Sequence, residues 1–401
     1  MGAFDVVAVR KQFPALDEGA AHFDGPGGSQ TPQAVADAVA RTMTSALANR
    51  GQLTAAERRA DEIVVNARQA MADLLGTSAQ GIVFGRSMTQ LTYDFSRTLA
   101  KTWSPGDEVI VTRLDHDANV RPWVQAAEAA RATVKWLSFD PETSELDDIA
   151  PLLSDRTRLV AVTAASNLLG TRPDTERIAA QVHEAGALIY VDGVHLTAHA
   201  PVDARYADFY ACSPYKFFGP HLGVLTAAPE LLETLKPDKL VPSTDAVPER
   251  FELGTLPYEL LAGTTAAVDF IAGLAGTGST RRERLASSLQ AVEQHEDALR
   301  DDLEARLRAI PGVTLHGHAA HRTPTLLFSV EGHAPSEVAE RLAAAGVNAP
   351  AGSFYAYEPA RHLGLGPAGA VRAGLAPYTD QSDVDRLVAA VSALTVRSST
   401  N

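Results

Sequence analysis

Cysteine occurs once in the 401 residues, as Cys212. A single thiol excludes an intrachain disulfide framework and any metal or iron–sulfur site that needs several cysteines. No run of about 18 apolar residues exists either, so no bilayer-spanning helix is expected. The opening stretch, MGAFDVVAVRKQFPAL, lacks the apolar core of a secretory signal and the arginine richness of a transit peptide. Basic charge is in deficit: 35 Lys and Arg against 49 Asp and Glu give a formal net charge of −14. Nucleic acid and anionic membranes bind through basic patches, so neither is expected as the main partner. A local anion site remains compatible with that balance. These absences predict a cytoplasmic protein in a reducing setting.

What is present is an ordinary globular composition, 45% hydrophobic and 21% charged. The length allows roughly two to three domains. The interior alternates short β-rich runs with helical stretches, the pattern of an α/β domain with a mainly parallel sheet. Seven strands are expected, at Gly81–Phe84, Glu108–Thr112, Thr133–Leu137, Leu159–Thr163, Leu188–Asp192, Phe209–Ser213 and Gly223–Ala227. Helices are expected between them at Val124–Ala132 and Thr175–Ala185, the second stopped by Gly186 in a left-handed cap. From Arg281 to Ile310, Leu285, Leu289, Val292, Leu299, Leu303 and Leu307 recur at helical spacing and predict one long amphipathic helix. A strand at Thr325–Val330, a helix over Pro335–Ala345, a strand at Ala370–Leu375 and a final helix from Gln381 complete a smaller α+β domain. The expected division is an N-terminal arm, 1–20, packing with the small domain, then a large domain, 21–275, and a small C-terminal domain, 276–401.

Four segments carry chemistry. In Ser213-Pro214-Tyr215-Lys216-Phe217-Phe218-Gly219-Pro220-His221 a lysine follows a core strand among aromatic residues. Most lysines snorkel or pair with a carboxylate; here the alternative is an amine with a depressed pKa that bonds covalently to a carbonyl. In Leu188–His195, Asp192 ends an apolar strand at the sheet edge where ligands bind. It is either a turn cap or the partner of a cationic ring nitrogen, as pyridoxal phosphate requires. Phe84-Gly85-Arg86-Ser87-Met88-Thr89-Gln90 runs from a strand into a helix start, which is either ordinary capping or a phosphate site. Leu114-Asp115-His116-Asp117-Ala118-Asn119 offers an imidazole that can stack on a flat cofactor or move a proton. A metal reading of Asp115–Asp117, or of His195 with His199, is poor: Leu196 stands where the metalloprotease pattern needs Glu, and no third ligand is evident. Gly25–Gly28 and Gly276–Gly278 match neither the dinucleotide fingerprint nor a P-loop and read as turns.

Together these segments resemble the class V branch of fold-type I pyridoxal phosphate enzymes, the cysteine desulfurase-like family that includes isopenicillin N epimerases. The likeness runs from Phe23-Asp24-Gly25-Pro26-Gly27-Gly28 to Val371-Arg372-Ala373-Gly374-Leu375. It is strongest toward a subgroup described only as desulfurase-like, through Leu114–Asn119, Ser166-Asn167, Tyr215–Gly223 and Gly352–Ala356. The resemblance implies that Lys216 bonds the cofactor and moves protons at Cα, that Asp192 pairs with the pyridine nitrogen and that His116 stacks on the ring. It further implies that Asn167 and His195 lie near the cofactor's phenolic oxygen, and that Ser213 with Ser87, Met88 and Thr89 holds the phosphate. Thr255 would reach the phosphate of a partner subunit in a homodimer with sites at its interface. Arg372 would clamp the carboxylate of an amino-acid substrate, with Tyr355, Phe354, Tyr357, His22 and Asn49 shaping the pocket.

The sequence also departs from the family. Where desulfurases carry a mobile-loop cysteine, this chain reads Pro350-Ala351-Gly352-Ser353-Phe354-Tyr355-Ala356, which sets Tyr355 at the nucleophile's position and Pro350 at that of a second arginine. Tyr215 replaces the His that commonly precedes the lysine, and Cys212 lies in a strand where a thiol is buried and inert. The expected reaction is therefore β-elimination by a carbon–sulfur lyase that forms no persulfide on its own cysteine. The alternatives are epimerisation at Cα, a decarboxylating or deaminating step, or a non-catalytic binding module on the same fold.

Overall fold

The computed structural model describes residues 4–396. The seven expected strands form one sheet: β1 Ile82–Gly85, β2 Glu108–Thr112, β3 Thr133–Leu137, β4 Thr157–Thr163, β5 Leu188–Asp192, β6 Phe209–Cys212 and β7 Gly223–Ala227. Their order is β1-β7-β6-β5-β4-β2-β3. Only β7 runs against the others, antiparallel to both β1 and β6. The sheet is covered on both faces, and the two-residue period of the strands deals successive side chains to opposite cores. In β4, Val160 and Val162 join one core while Leu159 and Ala161 join the other. In β6, Tyr210 and Cys212 face the first core, and Phe209 and Ala211 face the second.

The first core is roofed by Val64, Ala67, Met71 and Leu74 of the helix Ala55–Leu75. Thr54 and Glu57 start that helix with a reciprocal capping box, and Gly76 ends it at φ 72°. This helix was not singled out in the sequence, nor were Gln33–Met43 and Tyr258–Gly273. The second core is covered by Leu91, Phe95 and Leu99 of Met88–Ala100 and by Trp123 of Arg121–Ala130. The predicted stop after the helix Thr175–Glu184 is present, with Gly186 at φ 74°.

The long helix spans Arg281–Arg308 and opens on a second capping box, Thr280 with Glu283. Its Leu285 and Leu289 lie in the large-sheet core, whereas Leu299, Leu303 and Leu307 lie in the core of a smaller sheet. That sheet contains β8 Val313–His316, β9 Thr325–Val330, β10 Ala351–Gly352 and β11 Ala370–Gly374, in the order β10-β11-β9-β8 and wholly antiparallel. Between the sheets, Leu327 and Ala370 pack on Leu114, Leu168 and Leu169. The N-terminal segment touches both halves. Arg10 binds Asp383 at 2.6 Å, while Phe13 packs edge-on against Phe218 and Tyr378. Among the described residues no helix is long and apolar enough to cross a membrane.

Candidate active site

All six parallel strands end at one edge of the sheet, and the loops leaving five of them, all but β3, help close a cavity of about 310 Å³ between the two sheets. From β1 come Ser87, Met88 and Thr89, at the start of the helix Met88–Ala100. Ser87 caps that helix by accepting from the Gln90 N–H at 3.0 Å. Gly223 lets this turn approach, since a Cβ there would lie 2.2 Å from the Ser87 carbonyl carbon. From β2 comes His116, whose Nδ1 accepts from the Ala118 N–H at 3.0 Å. Burial, then the charges of Lys216 and Arg372, push its pKa down to about 4, so the ring is neutral. Asp115 anchors the loop from beneath, accepting from the Thr112 hydroxyl, from Asn119 at 2.6 Å and from the Thr163 N–H at 3.0 Å.

Asp192, 4% exposed, closes β5 and accepts from the Val194 N–H at 2.9 Å. Burial raises its pKa to about 6, against the pull of Val194 and Lys216. Beyond β6, Ser213 and Lys216 face the same cavity. Lys216 Nζ donates to the carbonyl of Pro26 and lies 4.9 Å from the centre of the Tyr215 ring. Burial, helped by Arg372 and opposed by Asp192, lowers its pKa to about 7. Arg372 enters from β11 of the other sheet. Its Nη1 donates to the Asn167 carbonyl at 2.8 Å, and its guanidinium lies 3.8 Å from the centre of the Phe354 ring. Burial brings it down to about 9. Phe354 and Tyr355 hold left-handed backbone, φ 54° and 57°, unusual for bulky residues. Hydrogen bonds to their carbonyls from Asn167 Nδ2 (2.9 Å) and the Asp117 N–H (2.8 Å) keep them there. Tyr355 is 79% exposed at the mouth.

The cavity therefore collects Lys216, Asp192, His116, His195, Asn167, Ser87, Met88, Thr89, Ser213, Arg372, Phe354 and Tyr355. It does not include Asn49, which is exposed, or Thr255, which lines a separate cavity with Phe84, Gly85 and Arg86. His22 is also outside it, in a cluster with Asp24, Gln30 and Asn348. Sequence reasoning missed the roles of three features. Gly25–Gly27, read as a plain turn, supplies the carbonyl that holds Lys216. Thr323 and Thr325 each lie 3.0 Å from His195 Nε2. His199, considered above as a metal partner of His195, instead pairs through Nδ1 with Glu296 at 2.9 Å.

Pyridoxal phosphate fits this residue set. Asn167 Oδ1 and Arg372 Nε are buried without a hydrogen-bond partner, and such atoms call for a polar occupant. A helix N-terminus with Ser87, Thr89 and Ser213 suits a phosphate. A lysine with about half its amine uncharged near pH 7 suits a bond to an aldehyde carbon.

The family model described as aminotransferase class-V matches residues 21–387. The chain belongs to that family. Cysteine desulfurase CsdA of Escherichia coli K12 is 30% identical over 403 residues, 98% of each chain. The crystal structure of CsdA superposes with a TM-score of 0.85 at 29% identity, again over 98% of each chain. An uncharacterized protein of Mycobacterium tuberculosis, MT3887, is 34% identical over 98% of this chain and 100% of its own. The fold is also that of C-DES, seen in a mutant with glycine covalently linked to the cofactor pyridoxal phosphate (TM-score 0.79, 19% identity, 96% of this chain and 98% of that one). The chain is thus a class V enzyme dependent on pyridoxal phosphate, on the fold-type I α/β architecture.

These matches correct one expectation. A carbon–sulfur lyase set apart from the persulfide-forming cysteine desulfurases does not stand, because relatives named cysteine desulfurase match nearly the whole chain. The expectation drew the whole reaction from one loop position, Tyr355, and from the burial of Cys212. Neither feature is enough to set the chain apart from relatives that match it over nearly its whole length.

Proposed function

We propose that this enzyme is a cysteine desulfurase, removing sulfur from cysteine or a close analogue and leaving alanine. One observation carries the reading: a buried lysine poised near neutrality shares its cavity with a buried carboxylate and a buried arginine, in a chain of desulfurase architecture. When bound, pyridoxal phosphate supplies the electron sink for the pair left at Cα. Lys216 holds the cofactor and carries protons at the substrate carbons, tasks that need a free amine at working pH. Asp192 keeps a positive charge on the pyridine nitrogen favourable. Arg372, with its Nε unpaired, grips the substrate carboxylate. His116, held neutral in the cavity wall, would pack against the cofactor, and the Ser87–Thr89 turn with Ser213 would hold its phosphate.

The enzyme works as a homodimer in which Thr255 serves the partner's site. Leu253, two residues before it and 57% exposed, supplies apolar surface for that contact. In the reaction a thiolate would attack the substrate sulfur and take it as a persulfide, the carbon–sulfur bond breaking with its electron pair left on carbon, and protonation at carbon would complete alanine. Incubation of the cofactor-loaded protein with L-cysteine and excess dithiol tests this, because the dithiol releases the sulfur as sulfide while it is itself oxidised. Alanine and sulfide are expected in equal amounts; cysteine recovered unchanged would overturn the proposal.

A further inference from the structure

His195 lies on the large sheet's loop after β5, yet the atoms that hold it come from the small sheet. Its Nε2 is 3.0 Å from the hydroxyl oxygens of both Thr323 and Thr325. Those threonines are brought in by a short antiparallel contact onto the loop after β4. The Arg172 N–H donates to the His321 carbonyl, and the Thr323 N–H to the Gly170 carbonyl, each at 2.8 Å. Gly170 makes the contact possible, with φ at +76° and a missing Cβ that would otherwise sit 3.0 Å from the Thr323 carbonyl oxygen. The other ring nitrogen, Nδ1, has no hydrogen-bond partner among the described residues, and the ring lines the cofactor cavity.

A neutral imidazole has one N–H and one bare nitrogen, so the question is which nitrogen bears the proton. Burial, followed by the charges of His199, Arg372 and Lys216, holds His195 well below its ordinary pKa and therefore neutral. Thr323 has an outlet for its hydroxyl proton in the Gly170 carbonyl at 3.3 Å. The hydroxyl of Thr325, a residue 1% exposed, has no hydrogen-bond partner but His195 among the described residues. If Nε2 carried the proton, the Thr325 hydroxyl would be a buried donor with no acceptor, a state that folded proteins avoid.

We propose that Thr325 fixes the tautomer of His195, donating to Nε2 so that the imidazole offers Nδ1–H to the cofactor cavity. Thr325 is a positioning residue: it acts through His195 from a strand about 130 positions further along the chain. The assignment deepens the proposed function, because an N–H donor is what an electron-rich oxygen on a bound cofactor would need from this wall.

Nitrogen-15 spectra of the full-length protein labelled at histidine test it, with H195Q identifying the His195 signals. The wild type is expected to show a protonated Nδ1 and a bare Nε2. T325V, with Thr323 left to accept, is expected to move the proton to Nε2, and T325S to keep the wild-type pattern. In cofactor-loaded protein the visible absorbance band is expected to shift in T325V and not in T325S. A wild type protonated at Nε2, or a T325V protein with unchanged tautomer and band, would overturn the assignment. Once H195Q has assigned the signals, the wild-type spectrum decides without any threonine variant, and it can be recorded without cofactor. A failure of the desulfurase reading would therefore leave this measurement intact.

Discussion

The pKa of Lys216 gives a quantitative prediction for capture of the cofactor by cofactor-free protein. Burial is the main cause of its fall from 10.5 to about 7, and Arg372 adds to it. At pH 8 about nine in ten of these amines are free, against about three in a thousand for an ordinary lysine, a gain of ~300-fold in reactive amine. The expected capture rate climbs about tenfold per pH unit below the midpoint and levels off above it. Stopped-flow absorbance after mixing with pyridoxal phosphate reads this rate, with a free alkyl amine in the same buffers correcting for the cofactor's own titration. Arg372→Gln removes a positive neighbour and should move the midpoint up; Asp192→Asn removes a negative one and should move it down. A corrected rate still climbing tenfold per unit beyond pH 9 would refute the reasoning, since the lysine would then be solvated and ordinary.

Three further outcomes are expected. The unfolded chain binds a proton at Lys216 that the folded chain resists between about pH 7 and the ordinary lysine value, so the lysine's cost to stability is full below that window and fades as pH rises through it. Lys216→Met should accordingly stabilise the cofactor-free protein by about 1–2 kcal/mol at pH 6–7, and by progressively less toward pH 10, in urea unfolding. Gly223→Ala drives a Cβ onto the Ser87–Met88 backbone; a loss of about 1–3 kcal/mol and weaker cofactor retention on dialysis are expected. Glu252 accepts two bonds from Arg68, at 2.9 and 2.8 Å, and one from the Phe84 N–H. Glu252→Gln leaves the buried Arg68 guanidinium only its longer carboxylate contact, to Glu249 at 3.4 Å, and should cost about 2–4 kcal/mol by the same assay, with no change if the pair is solvated.

The strands were legible because a sheet covered on both faces needs short, nearly unbroken apolar runs, and here several of them end in polar residues at the ligand edge. What could not be read was which side of the sheet each residue faced: in β4 both sides are aliphatic, so the sequence shows no alternation. The helix Tyr258–Gly273 escaped for a related reason. It packs against Gln33–Met43, Ala55–Leu75 and Arg281–Arg308 at once, so it has no polar stripe to betray its period. The cavity wall supplied by strand ends was readable as motifs, since Asp192 ends its strand and Ser213 and Lys216 lie within four residues of theirs. The threonines on His195 were not, because nothing local to Thr323 or Thr325 records a contact made across the two sheets. Cys212 was placed correctly inside a strand, and its burial pushes the thiol pKa up. The step from that thiol to a reaction class was the one that failed.

The most direct test of the account asks where the cofactor is bonded. The protein is loaded with pyridoxal phosphate, reduced with borohydride to make the lysine link permanent, digested and mapped by mass spectrometry. The account predicts a single modified peptide, with the added mass on Lys216 and none in Lys216→Ala. Modification at another lysine, or a loaded protein that carries no added mass after reduction, would contradict it.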